Sequence, residues 1–261
     1  MSEQHYPEYS KLAPIYDQVM EDVSYEVWAD FIDEVVQVHH PDPLSILELA
    51  CGTGSLALSL DELGCYDITA TDKSPEMIKI ARKKCAETGC GVEFMVMDFL
   101  DIRIEQPVDV VLSTFDSINY LHRSRDIIRL LEQVRSLLQP HSLFVFDFTT
   151  PKNSIKSIKF LNNEEGYTDD NYRFRRKSHY DPEERIHVNE FTIEKLDDDH
   201  HSVLERFQEK HEQKIYTLEE MVDIIAQTDY TIVAKYDGFD RKDANRNSLR
   251  ITMVLRCPET R

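Results

Sequence analysis

Short apolar segments alternate with amphipathic helical segments through the first 150 residues of the chain. The apolar segments predict five strands, over 44–49, 66–71, 92–97, 108–113 and 142–148. Hydrophobic residues recur at helical spacing over 25–38, 55–63, 74–88 and 126–138. Strands that are separated by helices pair in parallel through right-handed crossovers. The alternation therefore predicts an α/β fold with helices on both faces of a mostly parallel sheet.

The pattern changes after residue 151. Residues 152–170 are polar and predict a loop, and three strands without intervening helices follow over 172–180, 185–196 and 203–216. Such local strands favour an antiparallel meander. A capping box at 217–220 predicts a helix through residue 227, and two strands over 230–236 and 248–256 close the chain. We therefore predict three regions: an N-terminal helical lid (1–40), an α/β core (41–151 and 217–261) and an antiparallel β insertion (152–216).

The acidic composition limits the classes of partner. The 261 residues include 49 acidic and 30 basic side chains, which gives a net charge of −19. Such a surface repels phosphate backbones and anionic lipid, so we expect neither a nucleic-acid partner nor a membrane. With 41% hydrophobic residues the chain is able to bury a core, which excludes a disordered protein. We expect a small-molecule substrate, and a monomer or a homodimer.

The cysteines and the N-terminus bear on the cellular compartment. The five cysteines are odd in number and lack CxxC spacing, which argues against a zinc site and against a disulfide framework. We therefore expect reduced thiols and no metal. The first 14 residues contain no apolar run typical of a secretory signal, and no apolar run approaches the roughly 18 residues of a membrane span. These features predict a cytoplasmic protein.

The turn between the first predicted strand and its helix contains two glycines, Gly52 and Gly54. Glycines let the backbone approach a ligand closely, and the following helix start presents free N–H groups. Asp72 lies 20 residues after Gly52, which is the spacing of the ribose-binding acid in dinucleotide sites. This spacing alone does not separate NAD from other adenosine cofactors.

The residues that flank the turn distinguish NAD from the other adenosine cofactors. Glu48 lies inside the first strand, Asp72 ends the second, and the pair Asp98-Phe99 follows the third. Together they resemble the class I S-adenosylmethionine-dependent methyltransferases, of the bacterial small-molecule type with an antiparallel β insertion over the active site. The resemblance implies a Rossmann-like sheet of seven strands, six in one direction and the last antiparallel. Ala50 stands where this superfamily usually has a glycine, which is tolerated if the backbone there has an ordinary conformation.

The resemblance also implies roles for residues along this edge of the sheet. Asp72 would accept hydrogen bonds from both ribose hydroxyls. Asp98 and the Phe99 backbone would hold the adenine ring, and Tyr16 would contact the cofactor's carboxylate or its sulfonium. The implied cofactor-binding set is Tyr16, Glu48, Ala50, Cys51, Gly52, Gly54, Asp72, Lys73, Met77, Asp98, Phe99 and Thr114.

Residues that face the methyl acceptor are expected beyond the carboxyl ends of the fourth and fifth strands, where open α/β sheets bind ligands. Methyl transfer needs a positioned nucleophile, and a base only if that nucleophile arrives protonated. The candidate catalytic residues are Tyr120, His122 and His211, and the candidate substrate-binding residues are Tyr9, Asp116 and Asn119. A helical N-terminus would turn Tyr9 and Tyr16 toward one pocket. The alternatives are an NAD-dependent oxidoreductase, a catalytically silent cofactor-binding module, and a tRNA or protein methyltransferase.

Replacing Asp72 by alanine is expected to weaken S-adenosylmethionine binding by about 1–3 kcal/mol, because charge-assisted hydrogen bonds to the ribose are lost. Isothermal titration calorimetry on both proteins measures this difference. Unchanged affinity in Asp72→Ala would remove this carboxylate from the ribose. Saturation by NAD but not by S-adenosylmethionine would contradict the methyltransferase interpretation.

Overall fold

The computed structural model of the protein describes residues 5–40 and 42–259. The strands are β1 (His5–Tyr6), β2 (Ser45–Leu49), β3 (Asp67–Asp72), β4 (Glu93–Val96), β5 (Val108–Ser113), β6 (Leu138–Thr149), β7 (Glu164–Tyr167), β8 (Tyr172–Asp181), β9 (Ile186–Leu196), β10 (Val203–Lys214), β11 (Thr231–Asp237), β12 (Asp240–Asp243) and β13 (Arg250–Arg256). The helices are α1 (Tyr16–Val19), α2 (Tyr25–His39), α3 (Ser55–Asp61), α4 (Pro75–Thr88), α5 (Ser124–Leu137), α6 (Pro151–Leu161) and α7 (Leu218–Ile225). Short 3₁₀ helices form at Ala13–Ile15 and Ser117–Tyr120. Within the described ranges, no helix is both long enough and apolar enough to cross a membrane.

An eight-stranded sheet forms the core, in the order β12-β11-β13-β6-β5-β2-β3-β4. The five strands from β4 to β6 in this order pair in parallel. β13 is antiparallel to both of its neighbours, β6 and β11, so β11 runs in the same direction as the parallel strands. The predicted arrangement of six strands in one direction and the last one antiparallel is therefore confirmed. The prediction missed β12, a short strand that extends the edge by pairing with β11.

Helices cover both faces of this sheet through two separate apolar clusters. On one face, α5 and α7 contribute buried residues such as Leu130 and Met221. On the other face, α2 and α3 contribute buried residues such as Ile32 and Leu60. β2 and β5 lie between these two layers, and each is buried at all but one of its positions. The Rossmann-like α/β architecture is thus confirmed.

The sheet order determines where a ligand is able to bind. β2 pairs with β3 on one side and with β5 on the other, so the strand order reverses at β2. Open α/β sheets bind ligands beyond the carboxyl ends of their strands at such a reversal. The turn that contains Gly52 and Gly54 leaves β2 at this point, and both glycines have positive φ.

The insertion forms a second sheet over that edge, in the order β1-β10-β9-β8-β7. Its three long strands, β8 to β10, are antiparallel as predicted. β10 contacts the loop after β5, where the Asn119 Nδ2 group donates to the Lys214 carbonyl oxygen at 2.7 Å. The predicted position of this layer, at the carboxyl edge of the core sheet, agrees with that contact.

The N-terminal region is helical only in part, and residues 1–4 of the predicted lid lie outside the described residues. β1 pairs in parallel with β10 beside Gln208 and Glu209. The chain then turns at Tyr9, whose φ is +59°, and reaches the short helix α1 at Tyr16. A continuous helix that carries both tyrosines is therefore wrong, because strand pairing with the insertion occupies the start of the segment.

The polar stretch over 152–170 contains a helix and a strand, so the predicted loop is wrong. Thr150 caps α6 by accepting a hydrogen bond from the Asn153 backbone N–H, and Pro151 occupies the first helical position. This Thr-Pro start is a recognised helix signal. The apolar stripe was too weak to support it, because Ser154 is the buried residue of α6 and Phe160 remains 73% exposed.

Cys85 and Cys90 form a disulfide, so the expectation that all thiols are reduced is wrong. Gly89 ends α4 in the left-handed conformation, and the backbone N–H groups of Gly89 and Cys90 both donate to the Cys85 carbonyl oxygen. This reversal brings the two cysteine Cα atoms within 4.9 Å. Cys51, Cys65 and Cys257 take no part in this disulfide. Counting cysteines misses such a pair, because the turn and not the spacing motif brings the sulfur atoms together.

Gly54→Ala is expected to destabilise the protein by about 2–4 kcal/mol, since backbone strain and overpacking add. The added Cβ would meet the Phe94 ring at 2.5 Å, at a φ of +77°. Gly64→Ala is the matched control, because its φ is +70° but its Cβ would meet nothing within 4 Å. The control is expected to lose about 1 kcal/mol through backbone strain alone. Urea unfolding measures both losses, and equal values would contradict the steric account.

Candidate active site

A cavity of about 610 Å³ lies beside the glycine turn, and we call it the first cavity. Its volume lies in the range of small-molecule and cofactor sites. Ten residues of the predicted cofactor set line it: Tyr16, Glu48, Ala50, Cys51, Gly52, Asp72, Lys73, Met77, Asp98 and Phe99. Gly54 and Thr114 are not among its lining residues. Gly54 gives room to the Phe94 ring, and Thr114 is buried while its neighbours Phe115 and Ser117 line the cavity.

Asp72 ties the glycine turn to the end of β3. Its Oδ2 atom accepts a hydrogen bond from the Gly52 backbone N–H at 2.9 Å, and its Oδ1 atom accepts one from the Ser74 N–H at 2.8 Å. Burial raises the pKa of Asp72, while these two N–H donors act to lower it. Each carboxylate oxygen keeps a lone pair for another donor, which is the requirement for binding a ribose diol.

The other end of the first cavity combines a charged pair with apolar surface. Lys73 Nζ lies 3.1 Å from Asp98 Oδ2, and the Leu100 N–H donates to Asp98 Oδ1 at 2.8 Å. Met77 is buried beneath this pair, in the first turn of α4. An acceptor carboxylate beside apolar side chains fits an adenine ring, which offers amino hydrogens at its edge and flat apolar faces.

Glu48 supplies a buried carboxyl group that the folded chain leaves unsatisfied. The residue is 2% exposed, and its Oε2 atom has no hydrogen-bond partner among the described residues. Burial, with a smaller contribution from the negative charge of Asp72, raises the pKa of Glu48 to about 8. A buried polar atom without a partner favours a ligand that supplies one. The ammonium group in the methionine part of S-adenosylmethionine is such a donor, so the residues present fit this cofactor.

Ala50 and Cys51 lie between Glu48 and the glycine turn. Ala50 has a φ of +57°, so the expectation of an ordinary backbone conformation there is wrong. A left-handed conformation favours glycine, which explains why a glycine is usual at this position of the resembling proteins. Burial raises the pKa of the Cys51 thiol well above its usual value, so the thiol stays protonated and packs in the lining of the first cavity.

A second cavity of about 390 Å³ lies between the N-terminal segment, α6 and the insertion sheet. Four aromatic residues line both cavities: Tyr9, Tyr16, Phe115 and Tyr120. We call these four residues the aromatic wall. Tyr9 and Tyr16 thus line the same cavities although no continuous helix carries them, and their rings meet edge to face with centroids 5.9 Å apart. Because the two cavities share these four residues, they adjoin.

A chain of hydrogen bonds runs from the aromatic wall into the insertion sheet. The hydroxyl oxygens of Tyr9 and Tyr120 lie 2.6 Å apart, and Tyr120 Oη lies 3.1 Å from His211 Nδ1. The other ring nitrogen of His211, Nε2, lies 3.1 Å from Glu209 Oε2. Burial raises the pKa of both tyrosines well above the usual value, so their hydroxyls stay protonated. Tyr120 and His211 were predicted from the sequence, whereas Glu209 was not.

The remaining predicted residues lie in different surroundings. His122 is exposed and lines only the first cavity, where its Nε2 atom contacts the Glu212 carbonyl oxygen at 2.9 Å. Asn119 is fully buried and lines neither cavity. Its Oδ1 atom accepts a hydrogen bond from the Thr149 N–H at 2.9 Å. Asn119 thus joins the loop after β5 to β6 and β10, and a contact with substrate finds no support.

Asp116 lines the second cavity as part of an ion cluster. Arg250 donates to both Asp116 and Asp147, and the Gln213 side chain donates to Asp116 Oδ2 at 2.6 Å. Burial would lower the pKa of Arg250, but the two carboxylates hold it above its usual value. The expected substrate contact of Asp116 therefore competes with contacts that already occupy its carboxylate.

Sequence reasoning also missed polar groups on the far side of the second cavity. Arg176 lies 2.8 Å from Glu164, and its guanidinium group packs over the Phe191 ring. Ser154 is 1% exposed, and its hydroxyl has no hydrogen-bond partner in the described part of the chain. Arg176 shares its face of β8 with the buried residues Phe174 and Ser178, so strand alternation turns its side chain inward.

Glu48→Gln is expected to remove a proton release that accompanies S-adenosylmethionine binding. With a pKa of about 8, Glu48 is mostly protonated in the free protein at pH 7, and a nearby ammonium group favours its ionised form. Affinity of the unmodified protein should therefore rise with pH up to about 8 relative to that of Glu48→Gln. Calorimetry in buffers of different ionisation enthalpy counts the released protons. Equal proton release by both proteins would contradict a contact between Glu48 and the ammonium group.

Comparisons with known proteins agree with this geometry. The profile of a family described as a methyltransferase domain matches residues 46–141. A putative methyltransferase of Bacillus subtilis, YqeM, is 26% identical over 244 residues, which cover 93% of this chain and 94% of that protein. A ubiquinone biosynthesis O-methyltransferase of Xanthomonas euvesicatoria is 33% identical over 98 residues, which cover 36% of this chain and 38% of that protein.

The solved structures agree as well. The crystal structure of an S-adenosylmethionine-dependent methyltransferase from Clostridium acetobutylicum superposes with a TM-score of 0.78 at 26% identity. The match covers 96% of this chain and 99% of that chain, so it includes both the core sheet and the insertion. None of these likenesses favours an NAD-dependent oxidoreductase. The cofactor is S-adenosylmethionine, and the chain belongs to the class I S-adenosylmethionine-dependent methyltransferase superfamily.

Proposed function

We propose that the protein transfers the methyl group of S-adenosylmethionine to a small polar molecule bound in the second cavity. The observation that carries this proposal is the aromatic wall, whose four residues line both cavities. A direct in-line transfer requires the acceptor atom and the methyl group to meet without intervening solvent. Because the two cavities share these four lining residues, they adjoin, which would bring an acceptor in the second cavity next to a cofactor in the first.

The size and composition of the second cavity support a small polar acceptor. Its volume of about 390 Å³ lies at the lower end of the range for ligand pockets. Arg176, Glu164 and the hydroxyl of Ser154 provide polar groups opposite the aromatic wall. The net charge of −19 argues against a phosphate-rich substrate such as tRNA. A catalytically silent cofactor-binding module would have no need of this second cavity.

S-adenosylmethionine supplies an electrophilic methyl group on a positively charged sulfur. The tyrosine rings of the aromatic wall stabilise positive charge through their faces and exclude water from the space between donor and acceptor. Most of the rate enhancement in such a site comes from positioning. The N-terminal segment takes part in this positioning, because Tyr9 and Tyr16 both lie on it.

An uncharged acceptor with a hydrogen on its oxygen or nitrogen must release that proton if the methylated product is to be neutral. If the Tyr120 hydroxyl donates to His211 Nδ1 and the Tyr9 hydroxyl donates to Tyr120, the Tyr9 oxygen is free to accept a hydrogen bond from the acceptor. The acceptor proton then moves to Tyr9, the Tyr9 proton to Tyr120, and the Tyr120 proton to His211. The positive charge lost at the sulfonium is thereby recovered on the imidazolium, next to the Glu209 carboxylate.

Tyr120→Phe is expected to lower methyl transfer about 100-fold or more while S-adenosylmethionine affinity is retained, because the variant lacks the hydroxyl that joins Tyr9 to His211. Transfer is measured with methyl-labelled cofactor and a fractionated metabolite extract, and then with the purified acceptor. Tyr167→Phe is the matched control, since Tyr167 is 61% exposed and lines neither cavity.

Full activity of Tyr120→Phe would contradict the proton path through the aromatic wall. Loss of activity in His122→Gln, with Tyr120→Phe unaffected, would move the proton acceptor to the first cavity. His211→Asn is expected to behave as Tyr120→Phe does, because both variants interrupt the same chain of hydrogen bonds.

A further inference from the structure

We propose that Glu209 is a positioning residue that holds His211 in one tautomer, with the proton on Nε2 and a free lone pair on Nδ1. The proposal rests on the proposed function, since only that tautomer accepts a proton from Tyr120. Glu209 lies on β10, two residues before His211, and both side chains point to the same buried face. It touches neither cavity, so it acts through His211 and not on the substrate.

Backbone groups of the N-terminal segment surround the Glu209 carboxylate. Oε2 accepts a hydrogen bond from the Tyr9 N–H at 2.9 Å. Oε1 accepts hydrogen bonds from the N–H groups of Lys11 and Leu12, the latter at 3.0 Å. Three backbone N–H groups converge on this carboxyl group, so both of its oxygens act as hydrogen-bond acceptors. They also fix its two oxygens in place, because strand pairing of β1 with β10 holds the segment against Glu209.

An ionised carboxylate only accepts hydrogen bonds. The contact of 3.1 Å between Glu209 Oε2 and His211 Nε2 therefore requires the proton on Nε2. Nδ1 of the neutral ring is then an acceptor, and Tyr120 Oη at 3.1 Å becomes its donor. The direction of every hydrogen bond from Tyr9 to Glu209 follows from the charge on this one side chain.

The variant Glu209→Gln tests the assignment, because glutamine has the shape of glutamate but carries an N–H donor in place of one acceptor oxygen. If the amide oxygen of glutamine points to Lys11 and Leu12, it accepts hydrogen bonds from both of their backbone N–H groups. In the opposite orientation it accepts only from the Tyr9 N–H, so we expect the first orientation. The amide nitrogen then faces His211 Nε2 and donates to it. The ring is expected to respond by moving its proton to Nδ1, which removes the acceptor that Tyr120 requires.

The tautomer is measured directly by ¹⁵N NMR on protein with labelled histidine, at a pH where the imidazole of His211 is neutral. The signal of His211 among the ten histidines is assigned by its absence in His211→Asn. We expect the Nε2–H tautomer in the unmodified protein and the Nδ1–H tautomer in Glu209→Gln. A ring in the unmodified protein that carries its proton on Nδ1, or on both nitrogens, would overturn the proposal, as would an unchanged tautomer in Glu209→Gln.

Activity provides the second measurement. Glu209→Gln is expected to lower the turnover number at least tenfold, with the KM for S-adenosylmethionine unchanged. Glu212→Gln is the control, because Glu212 lies on the same strand with its side chain 42% exposed and paired with Lys210. If the tautomer reverses but turnover is unchanged, Glu209 orients His211 as proposed and the proton path of the proposed function is wrong. If neither changes, the positioning role itself is wrong.

Discussion

A buried guanidinium group between two carboxylates holds the two sheets together. Arg250 from β13 contacts Asp147 on β6 and Asp116 in the loop after β5, and Asp116 also accepts a hydrogen bond from Gln213 on β10. Removing one partner from such a cluster would leave a buried charge uncompensated, which is why the members depend on one another. The loop that this cluster holds carries Phe115 and Tyr120, so the cluster helps to position two of the four residues of the aromatic wall.

Most of the buried side-chain polar atoms that lack a hydrogen-bond partner among the described residues lie where ligands are proposed to bind. Most buried polar atoms in proteins find a partner, so each exception needs a reason. The exceptions at the cavities are Glu48 in the first, and Ser154, Glu164, Arg176 and Asn189 in the second. Tyr9 and Tyr120 keep their protons through burial, which suits groups that pass protons and hold no charge themselves. The two cavities thus combine a site for a cation with a path for a proton.

Local signals account for what could be predicted. The helical periodicity of Ile127, Leu130 and Val134 depends on neighbouring residues, and the helix that it predicts is confirmed. The N-cap at Thr150 is an equally local signal, but the apolar residues of α6 are not buried. The left-handed backbone at Ala50 could not be predicted, because alanine rarely adopts it and only the packing of the turn imposes it.

The sequence by itself determined the α/β core, the order of the predicted elements and the set of residues around the glycine turn. Their spacing along single strand–turn–helix units is enough to bring them to one edge of a parallel sheet. Tertiary structure alone decided that β1 pairs with β10, that Glu209 faces His211, and that four aromatic residues line both cavities. Several of these contacts join distant residues, as between Tyr9 and Glu209, which are 200 positions apart, and no local pattern specifies such a distant partner.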